Sequence, residues 1–125
     1  MWKTFCLAAA LLAATIARAN PNAPLGSWAR GDGKAVVRIA PCGADLCATN
    51  TWIRPGTEDE KVGDYLVLKV KPTGEALAGE AYDPQRRLSF RFSMNVAART
   101  MTTRGCMLAG LVCKTMNWTR RDGAQ

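Results

Sequence analysis

The chain has 125 residues, 17 basic and 10 acidic side chains, a net charge of +7, five cysteines and no histidine. That length holds one domain. Without histidine, a Ser–His or Cys–His nucleophile and a His-based metal site are excluded.

Residues 1–19 read as a signal peptide. Lys3 gives a basic start, residues 5–16 are apolar, and Ala17 and Ala19 are small residues where a signal peptidase reads, so cleavage is expected after Ala19. Twelve apolar residues fall short of the roughly twenty that a membrane span needs, so no transmembrane segment is expected in the mature chain. Removing 19 of the 125 residues leaves 106, and removing Lys3 and Arg18 lowers the net charge from +7 to +5. A domain of that size is marginal on burial alone. Cys6 leaves with the signal, and four cysteines in an exported chain imply a disulfide framework. Four cysteines allow three pairings. The expected one is Cys42–Cys47 with Cys106–Cys113, because each pair flanks its own short loop. Spacings of C-x4-C and C-x6-C without histidine argue against zinc. The expected location is the periplasm of a Gram-negative bacterium, or outside the cell.

Residues 20–25 carry Pro21 and Pro24 and read as a loose leader. Residues 26–30, Gly-Ser-Trp-Ala-Arg, start the first strand. Gly31-Asp32-Gly33 is a turn signal. Arg30-Gly31-Asp32 spells a cell-adhesion tripeptide, which in a hairpin turn reads as coincidence. Residues 35–41 form the second strand, with Val37 and Ile39 on one face and Val36, Arg38 and Ala40 on the other. Residues 48–54 form the third and carry Trp52. Residues 55–64 are polar, with Glu58, Asp59 and Glu60 in a row, and read as a solvated loop. Residues 65–71 alternate, Leu66, Leu68 and Val70 against Tyr65, Val67, Lys69 and Lys71. Residues 76–82 are a weaker strand, and Asp83-Pro84 opens a turn.

The clearest alternation runs over residues 88–96. Leu88, Phe90, Phe92, Met94 and Val96 share one face, and Ser89, Arg91, Ser93 and Asn95 share the other, the pattern of an antiparallel sheet dry on one side and wet on the other. Residues 100–107 continue it. Residues 108–112, Leu-Ala-Gly-Leu-Val, form an apolar loop between two cysteines, unlike the usual polar loop. Residues 114–120 are the last strand, with Met116 and Trp118 on one side, and residues 122–125 are a tail. About eight short strands with short connections predict an all-β, antiparallel up-and-down barrel over residues 26–121. The alternative is a two-sheet sandwich.

Two sets of motifs resemble a known family. One is residues 36–43, Val-Val-Arg-Ile-Ala-Pro-Cys-Gly, followed by Leu46-Cys47 and Trp52. The other is residues 79–84, Gly-Glu-Ala-Tyr-Asp-Pro, then Arg104-Gly105-Cys106, Gly110-Leu111, Cys113 and Trp118-Thr119-Arg120. With Gly26-Ser27-Trp28, these are similar to the exported bacterial proteins catalogued as domain of unknown function 2147. The resemblance implies a bacterial envelope or secreted location and a small β fold, and carries no activity. A looser likeness concerns architecture. Gly26-x-Trp28 on the first strand and Arg120 at the end of the last are similar to the lipocalin-like barrel signature, which implies a tryptophan at the barrel floor with an arginine across it.

No catalytic constellation is legible, and no Gly-rich phosphate loop or G-x-S-x-G stands in the chain, so a non-enzymatic protein without cofactor or metal is expected. Candidate ligand or partner positions are Trp28, Trp52, Tyr65, Tyr82, Leu108, Leu111 and Trp118, with Gly26, Trp28 and Arg120 closing the barrel. The leading expectation is an exported binding module for a small apolar or amphipathic ligand, in which Trp52→Ala or Leu111→Ala weakens uptake. The alternative is an interaction module for an envelope protein with a filled core. The basic charge suits anionic lipid headgroups or polymers. Aromatics are too scattered for a nucleic-acid stacking platform.

Overall fold

The computed structural model of this protein describes residues 18–121, with Thr4 and Ala8 ahead of them. Apart from those two positions, the expected signal peptide up to residue 17 lies outside the described residues, as does the tail at 122–125.

Eight strands follow one another: β1 (Gly26–Arg30), β2 (Ala35–Cys42), β3 (Asp45–Ile53), β4 (Tyr65–Thr73), β5 (Ala76–Asp83), β6 (Leu88–Val96), β7 (Thr100–Met107) and β8 (Val112–Arg121). Each pairs with the next, and β8 returns to β1 with Trp28 opposite Arg120, so the sheet is a closed antiparallel barrel. Closure leaves no strand edge open, and it excludes the sandwich. A 3-10 turn at Leu108–Gly110 links β7 to β8.

Alternation decides which side chains enter. Leu66 and Leu68 of β4, Leu88, Phe90, Phe92 and Met94 of β6, and Met116 and Trp118 of β8 point inward. Arg38, Lys69, Lys71, Glu80, Arg91 and Arg104 are exposed. Charges outside and apolar groups inside reverse the pattern of a membrane-spanning barrel.

Several boundaries differ from the sequence reading: β2, β4 and β5 run one or two residues further, to Cys42, Thr73 and Asp83, and β8 begins at Val112, inside the expected apolar loop. β3 begins at Asp45, paired with Cys42 around a two-residue turn, because Gly43 takes a positive φ of 65°. The register also shifts between Val36 and Val37, which face Trp52 and Asn50, leaving Thr51 as the extra residue of a bulge. Val36 is therefore buried, although it belongs to the row with exposed Arg38.

The two ends of the barrel are unlike. The closed end is sealed by the segment before β1. Residues 20–25 are not the loose leader that their prolines suggest. Ala23 N–H donates to Asn20 O and Leu25 N–H to Asn22 O, which curls them into turns. Pro24 is fully buried, and the Trp28 indole N–H donates to its carbonyl at 2.8 Å. The Arg120 guanidinium lies 4.1 Å above the Trp28 ring and donates to the carbonyls of Leu25 and Ala23, both at 2.8 Å. Gly26 has φ of 119°, and a Cβ there would come within 3.0 Å of the same guanidinium, so only glycine suits both the backbone and the stacked arginine. Gly26, Trp28 and Arg120 thus form the floor. Above it Val37, Ile39, Leu68, Leu77, Ala81, Met94 and Met101 complete the packed core.

Candidate functional site

Toward the other end the packing opens. A cavity of about 430 Å³ occupies the barrel above Trp28 and reaches the mouth between the β1–β2, β3–β4, β5–β6 and β7–β8 connections. Phe90 and Phe92, edge to face at 6.2 Å, line one wall. Leu66, Leu88, Met107 and Val112 continue the apolar lining upward. As a closed void this volume would cost about 10 kcal/mol by the usual cavity coefficient, as much as the whole stability of a small domain. A mouth open to solvent removes that conflict, because water or a ligand can fill the space. Polar groups in the wall are satisfied: the Trp118 indole N–H donates to the Thr103 hydroxyl at 2.9 Å.

The mouth is polar and tied together by three ion pairs, Arg30 with Asp32, Arg30 with Glu60 and Arg86 with Asp83. Arg30, on the last position of β1, donates to both Glu60 oxygens at 2.5 and 2.7 Å and to Asp32 at 2.9 Å. The hydrogen bond to Glu60 raises the Arg30 pKa against the opposing effect of its burial, and the same bond holds the Glu60 carboxyl below its ordinary range. This anchors the β3–β4 loop to β1 and occupies the arginine of the adhesion-like tripeptide. Beside it Asp83 is 5% exposed and accepts from Gln85 N, Gln85 Nε2, Arg86 N and Arg86 Nη1. Burial pushes the Asp83 carboxyl up, but the bonds from Arg86 and Gln85 outweigh it and the net shift is downward. Arg86 also donates to the carbonyl of Asp59, joining the β5–β6 turn to the β3–β4 loop.

Glu60 and Asp83 both titrate below the ordinary carboxylate range. The stability they supply is complete above about pH 5 and is lost as the pH falls through their lowered values. Asp83→Ala is expected to cost about 2–3 kcal/mol at neutral pH, because Gln85 N–H and Arg86 N–H lose their acceptor. Urea unfolding at neutral pH and below pH 4 checks this. The gap between variant and wild type should narrow on acidification, and a gap independent of pH would remove Asp83 from the account.

The candidate positions separate. Trp28 is fully buried in the floor, while Trp118 and Tyr65 line the cavity, Tyr65 at the rim and 40% exposed. Tyr82 stands on the outward row of β5, opposite Val67 and Ser89. Trp52 is 45% exposed, and neither it nor Leu108 nor Leu111 is part of the cavity wall. Those last two are 71% and 86% exposed at the β7–β8 tip. Cys42 is joined to Cys47 and Cys106 to Cys113. Cys106 and Cys113 face each other directly in the ladder, whereas Cys47 faces Ala40, so the first bridge runs diagonally. Sequence reasoning missed Arg30, Glu60, Gln85 and Arg86 as mouth residues. Arg30 and Glu60 are thirty positions apart, and no local pattern links them.

The two disulfides fit an oxidising, extracellular compartment. Among the described residues no helix is long and apolar enough to cross a membrane. Neither the curated proteins nor the solved structures compared with this chain give a match. One family model does, described as uncharacterized protein conserved in bacteria (DUF2147), over residues 26–120. The match runs from the glycine that opens β1 to the arginine stacked on Trp28, so it spans the barrel from floor to floor, and the chain belongs to this bacterial family.

Proposed function

We propose that this protein is an exported, non-enzymatic binding module of the bacterial envelope, which holds one small apolar or amphipathic ligand inside the barrel. The cavity carries the reading. Its volume of about 430 Å³ falls within the range of small-ligand sites. Its walls are apolar in depth and polar at the rim, which suits a ligand with an apolar body and a polar end. Cleavage after Ala19 would preserve the floor, since the carbonyls that hold Trp28 and Arg120 belong to Ala23, Pro24 and Leu25.

Native mass spectrometry of protein from its own host, before and after organic extraction, tests this. An extra mass removed by extraction is the expected result. Ala48, whose side chain lines the cavity, supplies the variant. Ala48→Phe should weaken uptake of a fluorescent fatty-acid probe at least about tenfold by filling the space, with the unfolding midpoint checked in parallel. Trp52→Ala and Leu111→Ala should leave uptake unchanged, contrary to the expectation from sequence, because neither side chain lines the cavity. A bare mass, with probe binding equal in wild type and Ala48→Phe, would leave the protein-interaction reading in its place.

A further inference from the structure

The outside of the mouth end is as distinctive as its interior. The seven exposed large hydrophobic side chains among the described residues are Trp52, Val62, Tyr65, Met107, Leu108, Leu111 and Val112. All seven lie at the mouth end, on the last positions of β3, the β3–β4 loop, the start of β4 or the β7–β8 tip. Isolated exposed apolar residues are ordinary, but a cluster on one end marks a contact surface. Four of the seven form the β7–β8 tip. Leu108 and Ala109 both have positive φ, 52° and 55°, a conformation non-glycine residues rarely adopt. The Cys106–Cys113 bridge clamps the hairpin directly below. The tip is therefore held out from the barrel, apolar and rigidly mounted.

Charge divides the chain in the same place. Residues 84–121 hold eight basic side chains and no acidic one. Arg91 faces Cys106 across the ladder, and Arg104 stands opposite Ser93 on the same outer surface. Lys114, on the inward row with Met116 and Trp118, lines the mouth of the cavity instead, and both outer cations are exposed. At strand spacing they stand within about 10 Å of the tip, close to one Debye length in 0.1 M salt. The acidic run Glu58, Asp59, Glu60 belongs to the β3–β4 loop, half the barrel's circumference away in strand order.

We propose that the β7–β8 tip docks on an anionic lipid bilayer, with Leu108 and Leu111 inserted among the acyl chains and Arg91 and Arg104 against the headgroups. The basic outer surface carried by Arg91 and Arg104 complements a negative membrane, and the charge of Glu60 in the acidic loop is balanced by its pair with Arg30. A protein partner of ordinary affinity needs a broad patch of roughly 800 Å² per side, whereas a narrow leucine tip suits insertion between lipids. Met107 and Val112 are exposed at the tip and also line the cavity, so the docked protein has an apolar path from the bilayer to its mouth. The docking does not depend on the cavity holding a ligand.

Co-sedimentation of the mature, oxidised protein with vesicles of phosphatidylglycerol and phosphatidylethanolamine, against vesicles of phosphatidylcholine alone, tests the proposal. Wild type should bind the anionic vesicles, and less as salt rises. Leu108→Ser with Leu111→Ser should weaken binding about 100-fold through lost apolar burial. Arg91→Gln with Arg104→Gln should weaken it about tenfold at low salt and flatten the salt dependence. All four side chains are exposed, and an unchanged unfolding midpoint verifies that the variants fold. Ala48→Phe should bind vesicles like wild type, which separates this proposal from the cavity reading. No binding of wild type to anionic vesicles, equal binding by the double-leucine variant, or equal affinity for both vesicle types would overturn it.

Discussion

Trp28→Ala is expected to cost about 4–5 kcal/mol and to lower the melting temperature by about 20 °C or more. The indole is fully buried and among the largest side chains in the core. It gives up three things at once: its packing against the barrel floor, the hydrogen bond to Pro24 O, and the face on which Arg120 stacks. Removing it also leaves the arginine over a hole. Two companion variants separate the contributions. Trp28→Phe keeps a ring beneath Arg120 and loses the indole donor, at about 1–2 kcal/mol. Arg120→Lys keeps a charge but not the planar fork that reaches Leu25 O and Ala23 O together, at about 1–3 kcal/mol. Urea unfolding of the oxidised proteins gives all three numbers. A loss below about 1 kcal/mol for Trp28→Ala would show that the floor is not where this barrel is held together.

Removing both disulfides is expected to cost about 4–5 kcal/mol in total. The Cys42–Cys47 and Cys106–Cys113 bridges span sequence separations of 5 and 7. Closing loops that short restricts the unfolded chain by roughly 2–2.5 kcal/mol each on the chain-entropy estimate. The bridges sit at opposite ends of the barrel and share no partner, so their effects should add. A domain of about a hundred residues with part of its interior hollow has little stability to spare. Cys42→Ser with Cys47→Ser, and Cys106→Ser with Cys113→Ser, should each lower the unfolding free energy by about 2 kcal/mol, and the fourfold variant should populate the unfolded state at moderate temperature. Peptide mapping without reduction checks the pairing itself. A Cys42 link to Cys106 or Cys113 would undo both the expected sizes and their additivity.

Much of the fold was legible because the information was local. A side-chain period of two depends only on pleat geometry, so β6 could be read with its inward row, Leu88 to Val96, already sorted. Turn chemistry was local too, and Gly31-Asp32-Gly33 fell between strands as expected. The errors came where tertiary contact overrides local preference. Pro21 and Pro24 suggest a loose segment, yet Trp28 and Arg120 supply the partners that order it. Asn20 adds a local bond of its own, its side-chain oxygen accepting from Asn22 N–H. Asp45 to Cys47 reads as loop by its composition, but the hairpin register continues the ladder through it. Asp83 was legible as a turn residue serving nearby backbone, and it does accept from Gln85 N–H and Arg86 N–H. Its place at the rim of a cavity was not legible.

By itself the sequence determined the strands, their inward and outward rows, the short-loop cysteine pairs and the Gly26, Trp28 and Arg120 signature of a closed floor. Each of these depends on neighbours in the chain or on a motif of fixed spacing. Only the tertiary structure decided that the barrel is packed at one end and hollow at the other, because the space inside depends on how eight inward rows meet around the axis. It also decided that Trp52, Leu108 and Leu111 face solvent while Tyr65 and Trp118 face the cavity. Alternation says which residues share a face, but the closed sheet says how high each one stands and whether anything lies opposite. The Arg30–Glu60 pair and the gathering of exposed apolar side chains at the mouth have the same origin: residues far apart in sequence become neighbours only when the strands pair into the barrel.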